Sequence, residues 1–280
     1  MMQRQVLVIE GQKIHYARAG QPGAPVLMMI HGWSSHLHIW ESAFEAFSGA
    51  FDCVAIELLG FGESDKPQNG NYCIDAQAAL VLKIADALGI DKFIPVGHSM
   101  GAQIAYYIAS ELAPARIPKI INISGVVMGQ LSDWVRYVVI PMSWLGFYFP
   151  LFYGLLRFFS RFQWFAHLEY RVWFYDWRKL DWGVWQIDRD MTNQVGIHVG
   201  NFKAGQAMRR MDMRQRLSRI TVPQVVIFGR QDGLVPPRDG LLAAELIPQT
   251  RLVWLDECGH FPMREQNAAY LAAMRDFLGA

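Results

Sequence analysis

Apolar positions in this 280-residue chain fall into short unbroken runs set between stretches of helical period. Residues 6–9 and 13–17 flank Glu10-Gly11-Gln12, the signature of a hairpin that opens the fold with an antiparallel edge. Runs of strand length follow at 25–30, 51–57, 92–96, 117–125, 223–229 and 251–255, the pattern of strands buried on both faces. Helical patterns lie between them at 39–47, with Trp40, Phe44 and Phe47 on one face, at 74–88, ended by Gly89, and at 102–109; another closes the chain at 268–278. Alternating strands and helices predict an α/β fold, a mostly parallel eight-stranded sheet with helices on both faces.

The alternation stops after Gly125 and resumes near Val222. This divides the chain into a core of residues 1–125 and 218–280 and an insert of residues 126–217. Residues 134–185 hold 20 of the 37 aromatic side chains, so aromatic bulk is concentrated in the insert. Residues 137–156 carry no charge over 20 positions, a length that could span a bilayer. Pro141, Gly146, Pro150 and Gly154 interrupt that stretch, and core strands resume after it, so it reads as a pair of packed helices. A second reading stays open, in which Trp and Tyr anchor the insert at a membrane interface with Arg157 and Arg161 near head groups. His167 and His198 lack metal-ligand spacing, and Asp188-Arg189-Asp190 reads as a solvated helix surface.

A formal net charge of +1 gives no electrostatic case for nucleic acid. Cys53, Cys73 and Cys258 are scattered and odd in number, which argues against a disulfide framework or a zinc site and suits a reducing compartment. The first residues lack the apolar stretch of a signal peptide and read as a strand. The expectation is a cytoplasmic protein, with peripheral membrane contact through the insert left open.

The chemistry centres on Gly97-His98-Ser99-Met100-Gly101, a Gly-x-Ser-x-Gly element between a strand and an apolar helix. A tight strand-to-helix turn strains the central residue and pushes its hydroxyl outward, above the free N–H groups of the helix N-terminus. A serine hydroxyl needs a base, and a histidine accepts and returns protons near neutrality. His260, in Cys258-Gly259-His260-Phe261-Pro262 after the last strand, is the best placed of eight histidines. Asp232 follows the preceding strand in Gly229-Arg230-Gln231-Asp232-Gly233, and Asp133 is the fallback acid. All these groups lie at strand carboxyl ends, where open α/β sheets gather their ligand sites.

These motifs, in the order Ser99, Asp232, His260, resemble the α/β-hydrolase family of the serine esterase and lipase type. His31-Gly32-Trp33 resembles that family's oxyanion loop, and Glu57-Leu58-Leu59-Gly60-Phe61-Gly62-Glu63-Ser64 its Asp-x-x-Gly-x-Gly-x-Ser segment, with Glu57 in place of the Asp in a structural position. The resemblance covers nearly the whole chain except the insert. It implies that the insert is a helical cap after the sixth strand. It also implies a Ser99 nucleophile, a His260 base, an Asp232 acid and an oxyanion hole from the N–H groups of Trp33 and Met100. Trp33, His98 and Trp134 are candidates for substrate contact. No metal or organic cofactor is implied. The substrate class favoured is a small-molecule ester with an apolar acyl group. Thioesters, carbon–carbon bonds or acyl transfer on the same triad stay open, as does a non-catalytic binding or scaffold module. Relatives that open epoxides or remove halides carry Asp at the elbow, which Ser99 opposes.

Overall fold

The computed structural model describes residues 2–179 and 181–280. Eight strands form one sheet: β1 (Gln3–Ile9), β2 (Gln12–Gly20), β3 (Val26–Ile30), β4 (Asp52–Ile56), β5 (Ile94–His98), β6 (Ile120–Ile123), β7 (Gln224–Gly229) and β8 (Thr250–Leu255). Their spatial order is β1-β2-β4-β3-β5-β6-β7-β8. β2 pairs antiparallel with both β1 and β4, while the remaining pairs are parallel. The hairpin is therefore the edge, and β5 lies near the centre between β3 and β6.

Because side chains alternate across a strand, each buried run feeds two cores at once. Met28, Ile30, Val54, Ile56, Val226 and Phe228 point into one layer. Their neighbours Leu27, Met29, Cys53, Ala55, Val225 and Ile227 point into the other. The first layer is roofed by α2 (Ile74–Ala87), α3 (Met100–Tyr107) and α10 (Arg238–Leu246), and the second by α1 (Glu41–Phe47) and α12 (Asn267–Leu278), which follows the short α11 (Pro262–Glu265). Element ends differ slightly from the pattern. Only Ile120–Ile123 of the 117–125 run joins the sheet, because Pro118 has no N–H to give a ladder. The 39–47 helix begins as a 3₁₀ turn, Leu37–Trp40.

Between β6 and β7 the chain leaves the sheet for α4 (Ile140–Tyr148), α5 (Pro150–Phe159), α6 (Gln163–Trp173), α7 (Trp182–Thr192), α8 (Ile197–Arg210) and α9 (Arg214–Leu217). The uncharged stretch 137–156 is thus divided between α4, which continues a π turn at Val135–Val139 with Pro141 just past it, and α5, whose Pro150 stands in the first turn, where the missing N–H has no intrahelical partner to lose. Among the described residues no helix is long and apolar enough to cross a membrane.

Candidate active site

Ser99 sits between β5 and α3 with φ 54° and ψ −116°, a conformation that non-glycine residues avoid. Three features hold it there. Ser99 N–H donates to the Ile123 carbonyl at 2.9 Å, which ties the turn to β6. A Cβ on Gly97 would lie 2.5 Å from the backbone of Ala102, and one on Gly101 would collide with the carbonyl of Ile30. Only glycine at both positions lets strand, turn and helix close on one another. Met100 opens α3, so its N–H has no acceptor within the helix.

His260 lies on the loop after β8, and its Nδ1 is 2.8 Å from Asp232 Oδ2, with both side chains buried. The other Asp232 oxygen accepts the backbone N–H groups of Leu234 and Val235, each at 2.9 Å. The loop after β7 thus fixes the carboxylate before the imidazole reaches it. With Nδ1–H donating to Asp232, Nε2 is left as the basic atom. Asp133, the fallback acid, is exposed at the foot of the cap.

His98 is fully buried, and its Nε2 donates to the backbone carbonyl of His260 at 2.9 Å. The rings of the two histidines lie 4.8 Å apart. The residue beside Ser99 therefore grips the loop carrying His260, which brings elbow and base together. Burial above all, with the nearby His260 ring, holds the His98 pKa well below the ordinary value, so it stays neutral. It is buried against the His260 loop and does not line the cavity described below.

Gly32 presses against the elbow: a Cβ there would sit 2.8 Å from Ser99 Cβ. Trp33 follows on that loop, and its indole Nε1 donates to the Asn201 carbonyl of α8 at 2.8 Å. His31 braces the same loop, with Nδ1 donating to the Gly32 carbonyl at 2.7 Å and Nε2 accepting Leu58 N–H at 3.1 Å. Glu57 is structural, since its carboxylate accepts the N–H groups of Leu37 and Glu63.

A cavity of about 330 Å³ is lined mostly by the helices between β6 and β7. Trp33 and Trp134 are both in its wall, with Tyr153, Arg157, Trp173 and His198. Of these, Trp33 follows Gly32, which presses on the elbow, and the Trp173 ring lies 6.5 Å from that of His260. Burial, and then Arg157, lowers the pKa of His198.

Two groups escaped the sequence reading. Asp188 does not lie on a solvated surface: it accepts from His36 at 3.0 Å and Arg264 at 3.2 Å, with the Tyr170 hydroxyl at 3.3 Å. Burial pushes its carboxyl up, but the bond to His36 and the charges of His36 and Arg264 outweigh that and hold it below the usual range. Glu265 accepts Gly259 N–H at 2.9 Å and Tyr175 N–H at 2.7 Å, joining the His260 loop to the cap. Burial raises its pKa despite those bonds. Apart from Gly259, six residues before Glu265, these partners lie far away in sequence, so no local pattern marks them.

An eight-stranded, mostly parallel sheet with a Gly-x-Ser-x-Gly turn at the end of its fifth strand defines a class, and the family comparison agrees. The chain belongs to the alpha/beta hydrolase fold family, whose model matches residues 25–265. It is similar to epoxide hydrolase 4 of Mus musculus, 35% identical over 115 residues, 41% of this chain and 32% of that protein. The match thus spans about a third of that relative's length. The pimeloyl-[acyl-carrier protein] methyl ester esterase of Vibrio parahaemolyticus serotype O3:K6 (strain RIMD 2210633) is 27% identical over 267 residues, covering 94% of this chain and 97% of that one. Among solved structures, the enol-lactonase from Burkholderia xenovorans LB400 superposes with a TM-score of 0.84 at 22% identity, over 99% of this chain and 100% of that chain. At that identity the superposition speaks for the fold alone.

Proposed function

We propose that this protein is a serine hydrolase that cleaves a small-molecule carboxylic ester with an apolar acyl group through an acyl-enzyme on Ser99. The observation that carries the reading is the Asp232–His260 contact at 2.8 Å, on a loop bonded to the residue beside a buried serine held in a strained backbone conformation. Asp232 holds the imidazole in the tautomer whose Nε2 can take a proton. His260 removes the Ser99 proton as Oγ attacks the acyl carbon. The carbonyl oxygen becomes an oxyanion, for which the N–H groups of Met100 and Trp33 are the proposed donors. The tetrahedral adduct collapses as His260 passes its proton to the leaving alkoxide, which departs as an alcohol. Water then attacks the acyl-enzyme with His260 again as base, releasing the acid and restoring Ser99.

The cap, residues 126–217 on this reading, closes the site and selects the acyl group. Its cavity wall supports an apolar substrate, being built largely from aromatic and aliphatic side chains. The mouse relative is named an epoxide hydrolase, but this chain carries serine at the elbow, which supports acyl transfer here.

The test is a panel of p-nitrophenyl esters of increasing acyl length, run beside matched thioesters and a vinylogous diketone, together with fluorophosphonate labelling. The expected result is turnover that favours the longer acyl esters and a phosphonate adduct on Ser99. Faster turnover of the thioesters or the diketone moves the assignment to those bonds, and absence of an adduct favours a non-catalytic binding module.

A further inference from the structure

Helix α5 has two apolar faces, and only one of them is used inside the molecule. Tyr153, Leu156 and Arg157 line the cavity. On the other face Leu151, Leu155 and Phe158 follow at helical spacing, and Phe162 extends the row beyond the helix. All four are exposed, Leu151 at 92%. Trp144, Tyr148 and Phe149, from the end of α4, and Trp164, at the start of α6, widen this surface. The rings pack on one another, Trp144 and Tyr148 tilted with centres 5.0 Å apart and Phe158 and Phe162 edge to face at 5.5 Å. The patch is therefore assembled before anything binds. A contiguous apolar surface of this kind marks an interaction site.

Charge decides what would cover it. From Trp134 to Leu168 the sequence contains Arg136, Arg157 and Arg161 and neither Asp nor Glu. Arg157 faces the cavity, so Arg136 and Arg161 are the exposed charges of this segment; a second copy docked about a two-fold axis would set them against their own equivalents, with no acid between residues 134 and 168 to separate them. An anionic lipid surface supplies the missing negative charge and an apolar phase together. Trp and Tyr place apolar rings and polar tips at such a boundary. The geometry is that of a helix lying in the interface, since ten residues of α5 span only about 15 Å, half a hydrocarbon core.

We infer that the outer face of α4 and α5, built on Trp144, Tyr148, Leu151, Leu155, Phe158 and Trp164, docks this protein onto anionic lipid bilayers. The same helix then has one face in lipid and the other in the cavity wall, so an apolar substrate dissolved in the membrane has a short path into the site. The docking surface stands on exposure and charge and does not depend on the ester reading.

Flotation of the full chain tests it, with vesicles of phosphatidylcholine alone and of phosphatidylcholine mixed with phosphatidylglycerol. The wild type is expected to float with the mixed vesicles and less with the neutral ones. L151E/L155E is expected to lose at least about tenfold of the bound fraction while still hydrolysing a short water-soluble ester, since neither residue lines the cavity. R161E is expected to weaken binding to the mixed vesicles only. A blue shift of wild-type tryptophan emission on adding mixed vesicles reads the same event without any variant. Wild-type protein that stays at the bottom with no emission shift overturns the proposal, as does a folded L151E/L155E that floats like wild type. A wild-type dimer that this double substitution converts to monomer overturns it in favour of a second copy. Loss of ester turnover with flotation intact would instead count against the hydrolase reading.

Discussion

The backbone N–H of His260 donates to the carbonyl of Trp173 at 2.9 Å, so the loop of the candidate base hangs from the last residue of cap helix α6. Glu265 strengthens that tie by accepting Gly259 N–H beside the base and Tyr175 N–H in the cap. These bonds tie the imidazole's loop to the segment around the end of α6, and on the proposed function Glu265 acts as a positioning residue.

Replacing Glu265 by Gln keeps the volume but turns one acceptor oxygen into an N–H₂ group. One of the two backbone donors then loses its partner, which costs about 1–3 kcal/mol at a buried site. The expected outcome is a lower melting temperature and a kcat reduced roughly tenfold, with KM changed less. Steady-state kinetics beside a thermal melt check this. An unaltered kcat with a lowered melting temperature would assign Glu265 to stability alone.

Ser99→Ala should abolish turnover of p-nitrophenyl esters, and its melting temperature should stay at or above that of wild type, because the strained elbow no longer carries a hydroxyl. Asp232→Asn should lower kcat by about 10³- to 10⁴-fold, since an amide can donate to Nδ1 and favour the wrong tautomer. The Leu234 and Val235 N–H groups still find the amide oxygen, so the fold should hold. An unaffected rate in the Asn variant would remove Asp232 from the acid role and turn the test to Asp133, which is exposed where Asp232 is buried.

Acid should weaken the fold through the loop beside the elbow. Burial lowers the pKa of His31 to about 4, against about 6.5 in an unfolded chain. Between those values the unfolded state binds a proton that the folded state refuses. Stability is thus full above about pH 6.5 and falls as pH drops toward 4, by up to about 3 kcal/mol from this residue. Buried His98 acts in the same direction. Urea unfolding of wild type and His31→Gln across this range should show a shallower acid loss in the variant. Parallel curves would show that His31 does not set the slope.

Most of the sheet could be read in the sequence because its strands are buried on both faces and its helices on one, so each run carries its own period. The elbow was legible for the same reason, since strand, turn and helix are contiguous. His260 and Asp232 were legible as candidates from their places after the last two strands, but their meeting is set by the pairing of β7 with β8, which no local pattern shows. Asp188 was misread because its partners His36 and Arg264 lie 152 and 76 residues away. A helix bearing Asp-Arg-Asp looks solvated until another element covers it. The setting of His98 was hidden for the converse reason: adjacency to Ser99 in sequence says nothing about direction, and the structure buries it against the His260 loop.

Asp188 is then the group on which the seating of the cap rests. It stands on α7, while His36 precedes the 3₁₀ turn before α1 and Arg264 lies on α11, just past His260. Asp188→Ala leaves Arg264, largely buried, without this carboxylate, and leaves His36 without an acceptor. Removing one partner from such a pair costs about 2–4 kcal/mol after allowance for partial exposure. The loss should fall on the junction between cap and sheet. Limited proteolysis should cut within residues 126–217 faster than in wild type, and KM for long acyl esters should rise. Because its carboxyl titrates below the ordinary 3.8, this contact holds at neutral pH and is lost only as pH falls below that value. Wild-type proteolysis rates in the Ala variant would mean that the cap is held elsewhere, with the Trp33–Asn201 bond to α8 as the next candidate.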